Sequence, residues 1–379
     1  MKGKQGLVCM GLLLVLSSCS CHTGKQITAS GLQRKDFQTE VNGQHTDLFT
    51  LSNKQGMEVC ITNYGARVVS ILVPDRNGKR EDVVCGFSTI TEYMEQRQNF
   101  GSTVGRYIGR ILNARFTLDG VEYKLVPNNG KSGHISHGGN PGFADRIWKV
   151  EQADTHRVRL SYLSPDGENG FPGNLKVTLV YSLGEDDNAL DLTYEATTDA
   201  PTVLNLSHHS FFNISGNFTK SVEDQQLWVD ADRFTPYDDK KCVTGEYLPV
   251  AGTPLDFRMP PTVGECIDAD HPQLKVVNGY DHTWELNTKG DDTRPAAWVY
   301  DPASGRKMEI FTTEPGMQIY TGNGLKGKMT GKGGIAYPFR SAVCFETMHF
   351  QDSPNQPGFP STVLRPGEVF RSHTVYKFE

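Results

Sequence analysis

The feature that most constrains this chain is a recurring pair of signals: short runs that alternate apolar and polar residues, and turn-forming residues that break them. ARFTLDGVEYKL (114–125) carries Asp119-Gly120 between two alternating runs, the chemistry of a tight hairpin. LKVTLVYSL (175–183) and ALDLTYEATT (189–198) alternate over their lengths with EDDN between them. AWVYDPASGRKMEIFTT (297–313) reads as strand, turn and strand. A period of two sends successive side chains to opposite faces of a sheet, so each run has one face to bury. The 39 glycines and 20 prolines fall between such runs as punctuation. Helical periodicity is scarce, and TITEYMEQRQ (89–98) is the best candidate, for a short surface helix. No low-complexity linker or internal repeat divides the interior. The pattern predicts an all-β protein, a large β-sandwich or barrel.

Composition narrows the function classes. A chain of 379 residues with 37% hydrophobic and 10% aromatic residues is globular, neither disordered nor a multi-span membrane protein. A net charge of −6 without a long basic run gives no reason to expect a nucleic-acid partner. Beyond Cys21 the cysteines are Cys60, Cys85, Cys242, Cys266 and Cys344. They are widely spaced without a C-x-x-C pair, so their spacing indicates neither a zinc motif nor a disulfide framework.

The N-terminus reads separately. MKGKQGLVCMGLLLVLSSC has two lysines, an apolar run from Leu7 to Leu16 and small residues before Cys19, the layout of an export signal. Leu16-Ser17-Ser18-Cys19 resembles the lipobox of bacterial lipoproteins, which implies lipidation at Cys19; Cys21 is less suited. The expected organisation is a signal peptide over 1–18, a polar tether over 19–35 and a catalytic domain over 36–379. An exported protein, held by a lipid anchor and facing the periplasm or cell surface, is the expectation.

Several familiar motifs fail on context. TGNGLKG (321–327) contains G-x-G-x-x-G, but KMTGKGGIAYP follows, so no helix N-terminus is there to receive a pyrophosphate. DADH (268–271) has no compact ligand spacing, and Pro272 points to a loop, so a solvated turn is expected. No G-x-S-x-G elbow supports a serine hydrolase.

Six other stretches place chemically competent residues among glycines, prolines and aromatics. They are VGRYIGRI (104–111), SHGGNPGF (136–143), NLSHHSFFN (205–213), NGYDHTW (278–284), EPGMQIYTGN (314–323) and CFETMHF (344–350). They supply Arg110, His137, His208 or His209, Asp281, Gln318 and Glu346. Such a set suits a monosaccharide, whose hydroxyls need paired donors and acceptors and whose ring faces need apolar cover. It also holds the minimum for acid–base chemistry, a carboxylate ionised at neutral pH and a histidine able to carry a proton. In a strand, the adjacent His208 and His209 leave opposite faces, so one pocket receives only one of them.

In these residues the chain resembles the aldose 1-epimerase family, from about Gln44 to the C-terminus and in family order. Asn63-Tyr64-Gly65-Ala66, SPDGENGFPGNL (164–175) and NQPGFPSTVLRPGE (355–368) add to the likeness. The resemblance implies a single large antiparallel β-sandwich and interconversion of α and β anomers of free hexoses such as galactose or glucose, without metal or nucleotide cofactor. It assigns His209 as general acid, Glu346 as catalytic carboxylate, and Arg110, His137, Asp281 and Gln318 to substrate. His208 is left to packing or hydrogen bonding, and Tyr64 and Phe345 to the core. Gly109, Ser136, Ala144-Asp145 and Met348 depart from the family pattern, which bears on sugar preference. Two alternatives stay open: a glycoside hydrolase using Asp281 and Glu346, and a lipid-anchored sugar-binding protein without catalysis.

Overall fold

The computed structural model describes residues 26–379; the readings made on earlier residues, Cys19 and the signal peptide among them, lie outside these. Within the stretch expected as tether, residues 26–35 lie against the fold. Leu32 is buried, Glu58 Oε1 accepts from the Ala29 and Ser30 amides, and Arg34 pairs with Asp47.

Alternation in the sequence becomes alternation in burial. Along Ala189–Thr198 partly exposed and buried positions succeed one another without a break, apart from the fully exposed Thr197. That strand pairs with Leu175–Leu183 in the register Leu183↔Leu190, across the expected turn. The same sheet has eight antiparallel strands in the order 149–153, 157–164, 175–183, 189–198, 370–378, 307–312, 297–300 and 226–229. Phe370–Phe378, the last strand of the chain, therefore sits in its middle, between Ala189–Thr198 and Lys307–Thr312.

A six-stranded sheet runs 211–212, 343–348, 316–320, 281–285, 233–235 and 248–249, and a four-stranded sheet is built from residues 48–82. One apolar core serves all three. It contains Leu160, Leu179 and Leu192 from the first sheet, Trp284, Met317 and Phe345 from the second, and Val59 and Ile61 from the third. Each such side chain contributes about 1.5–3 kcal/mol by leaving water, and the all-β sandwich expectation holds.

Local signals are met where they were expected. Asp119 and Gly120 both take positive φ, 51° and 79°, joining Arg115–Leu118 to Val121–Lys124 in a turn whose twist suits a hairpin. Ile90–Gln96 is the short helix. Thr89 caps it, accepting from the Glu92 amide at 3.2 Å while Glu92 accepts from the Thr89 amide at 2.9 Å, and Ile90 and Tyr93 are buried. The five described cysteines are free. One local reading changes. Pro272 does not continue a loop but opens the helix Pro272–Val277, because proline lacks only an amide that the first helical turn leaves unused. In the preceding turn Asp268 pairs with Arg340 at 2.7 Å.

Candidate active site

Neighbouring strands of the six-stranded sheet bring three of the expected residues together. Glu346 lies opposite Gln318, Gln318 opposite Thr283, and Asp281 two positions earlier on the Thr283 strand. Gln318 Nε2 donates to Asp281 Oδ1 at 2.7 Å, and its carbonyl accepts from Thr283 Oγ1 at 2.5 Å. The amide plane is thus fixed from both ends.

His209 arrives from elsewhere. Ser207–His209 pairs with Ser102–Val104 and lays its last residue over the Glu346 strand. His209 Nε2 is 3.4 Å from Glu346 Oε1, and both side chains are buried. The imidazole stacks on Phe211 with centroids 5.1 Å apart, and its Nδ1 lies 3.6 Å from Cys344 Sγ. His208 faces the other way. Its Nε2 is 2.6 Å from Ser210 Oγ and its ring packs against Tyr181 and Tyr376 in the interior. Opposite faces of one strand thus separate the two histidines, as the period of two requires.

Arg110 and His137 come from a third element, the pairing of Arg110–Ile111 with Ile135–Ser136. His137 follows at φ 53°, with its amide donating to Gly109 O at 2.8 Å. The Gly109 amide in turn donates to His137 Nδ1 at 3.4 Å, leaving the ring proton on Nε2, where a substrate oxygen can meet it. Gly138 must lack a side chain: a Cβ there would stand 2.0 Å from Gly105 O.

All six expected residues line one cavity of about 250 Å³, suited to a single sugar ring, with Phe211 and Tyr320 supplying aromatic surface. Gln98, Asn99 and Gln351 also line it and were not singled out from sequence. Gln351 explains a departure. Its side chain fills the space beside Gly109, where a Cβ would lie 2.5 Å from Gln351 Cγ, and its Oε1 accepts from the Arg110 amide at 3.2 Å. Gln351 Nε2 donates to Tyr237 Oη at 2.7 Å, tying the cavity wall to the loop that follows the strand Arg233–Thr235. Its only sequence signal is its place directly after CFETMHF. Met348 packs with Val104 and Ile108 below the cavity, while Tyr64 and Phe345 belong to core clusters.

Burial shifts both members of the pair toward their neutral forms. Burial, aided by the nearby Asp281 carboxylate and opposed by Arg110, pushes Glu346 well above the usual carboxylate range. Burial lowers His209 to about 4 and His137 to about 3. Desolvation disfavours the charged form of each group. One proton remains between them across 3.4 Å. For Arg110, burial pulls downward, but Tyr237 and Asp281 outweigh it and hold the guanidinium charged.

Comparisons with known proteins agree on one family. A family model described as aldose 1-epimerase matches residues 47–377. Pig galactose mutarotase is 39% identical over 330 residues, 87% of this chain and 93% of its own. The Escherichia coli K12 aldose 1-epimerase is 36% identical over 339 residues, 89% of this chain and 96% of its own. Among solved structures, an aldose epimerase homologue from Caenorhabditis elegans superposes with a TM-score of 0.81 at 31% identity, covering 88% of this chain and 99% of that one. With sequence and fold in agreement, the chain belongs to the aldose 1-epimerase family.

Proposed function

We propose that this cavity interconverts the α and β anomers of a free hexose, galactose or glucose, by opening and reclosing the ring. The observation that carries this is the convergence of His209 Nε2 and Glu346 Oε1 at 3.4 Å, among the hydrogen-bonding groups of Arg110, His137, Asp281 and Gln318. With the sugar's hydroxyls bound beside the pair, the pair's proton sits on His209. Glu346 then removes the proton from the C1 hydroxyl while His209 gives its proton to the ring oxygen. The C1–O5 bond breaks, the aldehyde turns about C1–C2, and the two transfers run backwards to close the ring on the other face. Nothing is oxidised, and the ring oxygen leaves as a neutral hydroxyl.

Arg110 and Asp281 hold ring hydroxyls as donor and acceptor, and Gln318 keeps the Asp281 carboxylate aimed. Polarimetry on freshly dissolved α-galactose, α-glucose and xylose tests the reading. Accelerated decay of rotation without new reducing ends is expected. Release of reducing ends from an oligosaccharide, or binding without acceleration, would reject it.

We further infer that the chain is exported and held to a membrane through Cys19, a reading supported by the apolar run Leu7–Leu16 and the lipobox-like Leu16-Ser17-Ser18-Cys19. Mass spectrometry of the mature N-terminus should find an acylated Cys19; any other first residue would refute this.

A further inference from the structure

Cys344 has no part in the proton transfers, yet it stands two residues before Glu346 on the same strand and therefore on the same face. Its Sγ lies on the far side of the His209 ring from the carboxylate, 3.6 Å from Nδ1 where Glu346 Oε1 is 3.4 Å from Nε2. A ring nitrogen, the sulfur and a carboxylate oxygen all fall within 4.8 Å of one another. Zinc bonds of roughly 2.0–2.3 Å in tetrahedral geometry set ligand atoms roughly 3.3–3.8 Å apart. Closing the set around one ring nitrogen requires the Cys344 or Glu346 side chain to rotate.

We propose that Cys344, Glu346 and His209 form an inhibitory binding site for a thiophilic divalent cation, Zn²⁺ or Cd²⁺, whose occupancy shuts the sugar cavity. The donor set selects the metal. Thiolate and imidazole favour zinc-type ions over Mg²⁺ and Ca²⁺, which take oxygen ligands. Charge favours it as well. A divalent cation with one thiolate, one carboxylate and a neutral imidazole sums to zero, the balance that buried ligands tolerate. Nearby, Asp281 adds attraction for a cation and Arg110 opposes it.

Three protein ligands leave a fourth position for water, and two of them, His209 and Glu346, line the cavity while Cys344 is buried behind it. The metal is an inhibitor here, not a cofactor: it ties up the carboxylate that takes the C1 proton and the imidazole that gives one. The inhibitory half of the proposal rests on the epimerase reading, whereas the binding half does not.

Cd²⁺ titration of the full-length protein, followed by ultraviolet thiolate-to-metal charge-transfer absorption, tests binding without any assay of turnover. A one-to-one band is expected in the parent protein. It should vanish in Cys344→Ala and survive in Cys242→Ala, the control for the other cysteine beside a histidine, with Cys242 Sγ 3.3 Å from His134 Nε2. Galactose should displace the metal. Polarimetry with Zn²⁺ then reads inhibition, each variant being compared with its own metal-free rate. Cys344→Ala should need at least about tenfold more Zn²⁺ for half-inhibition, since losing even an outer-shell partner of a metal ligand costs that much. A chelator should restore the parent rate.

A band that is absent from the parent or persists in Cys344→Ala would overturn the site. A band that forms while turnover continues would overturn the inhibition. Absence of turnover without metal, with the band intact, would instead refute the epimerase reading and leave the metal site standing.

Discussion

His208 and His209 are joined by one peptide bond and live in different chemistries. His209 faces Glu346 in the cavity at 3.4 Å; His208 is sealed in the interior, where burial first and its neighbour second lower it to about 3. Glu346→Gln and His209→Asn should each cut kcat by about a hundred- to ten-thousand-fold, the worth of a positioned acid or base. Circular dichroism and melting should show the fold retained. His208→Asn should keep turnover within the same order of magnitude. It should destabilise by about 1–3 kcal/mol, because the bond to Ser210 Oγ is buried. A His208→Asn protein that folds but is inactive would exchange the roles of the two histidines.

A third histidine reports on pH. His373 sits between Asp191 and Asp292, with ring nitrogens 2.7 and 2.6 Å from their oxygens, and is raised to about 9, chiefly by the bond to Asp191 and then, against some burial, by Asp292. A raised folded value means that protonation favours the native state. The contribution is complete below the unfolded value of about 6.5 and is lost as pH rises through about 9. Urea midpoints across that interval should fall in the parent and fall less in His373→Gln.

Between elements, the turns do the positioning. His137 reaches the cavity only because Gly138 lets the chain pass Gly105 O, so Gly138→Ala should push the His137 turn outward. A raised KM with a smaller effect on kcat is the expected result, measured by initial rates over a range of galactose concentrations. The same scale shows what could be read from sequence. The hairpin at Asp119-Gly120 and the strands 175–183 and 189–198 were legible because turn chemistry and alternation are local properties. The six expected cavity residues were legible through an ordered likeness to a family, since no spacing brings Arg110 to Asp281.

Gln351 was not legible, because its value lies in a bond to the Arg110 amide 241 positions away. The shifts of Glu346 and His209 were not legible for a related reason: burial causes them, and burial belongs to the assembled fold. Pro272 was misread because a proline that breaks one helix can begin another.

At the scale of the whole molecule, three sheets lean on one core, so local damage should spread. Leu179 is fully buried in it, and Leu179→Ala should cost about 2–5 kcal/mol in denaturant unfolding. Strand order was the part of the fold that the sequence hid most completely, since nothing in FRSHTVYKF says which partners it takes. The strand bonds to Ala189–Thr198 on one side and Lys307–Thr312 on the other, which makes it the seam of the eight-stranded sheet. Removing residues 370–379 should yield aggregated protein, checked by size-exclusion chromatography.

That seam also fixes when the protein can take shape. While the ribosome still shields the last few dozen codons' worth of polypeptide, the two flanking strands face each other across an empty slot and cannot bond directly. The eight-stranded sheet can therefore close only once its last strand has left the ribosome.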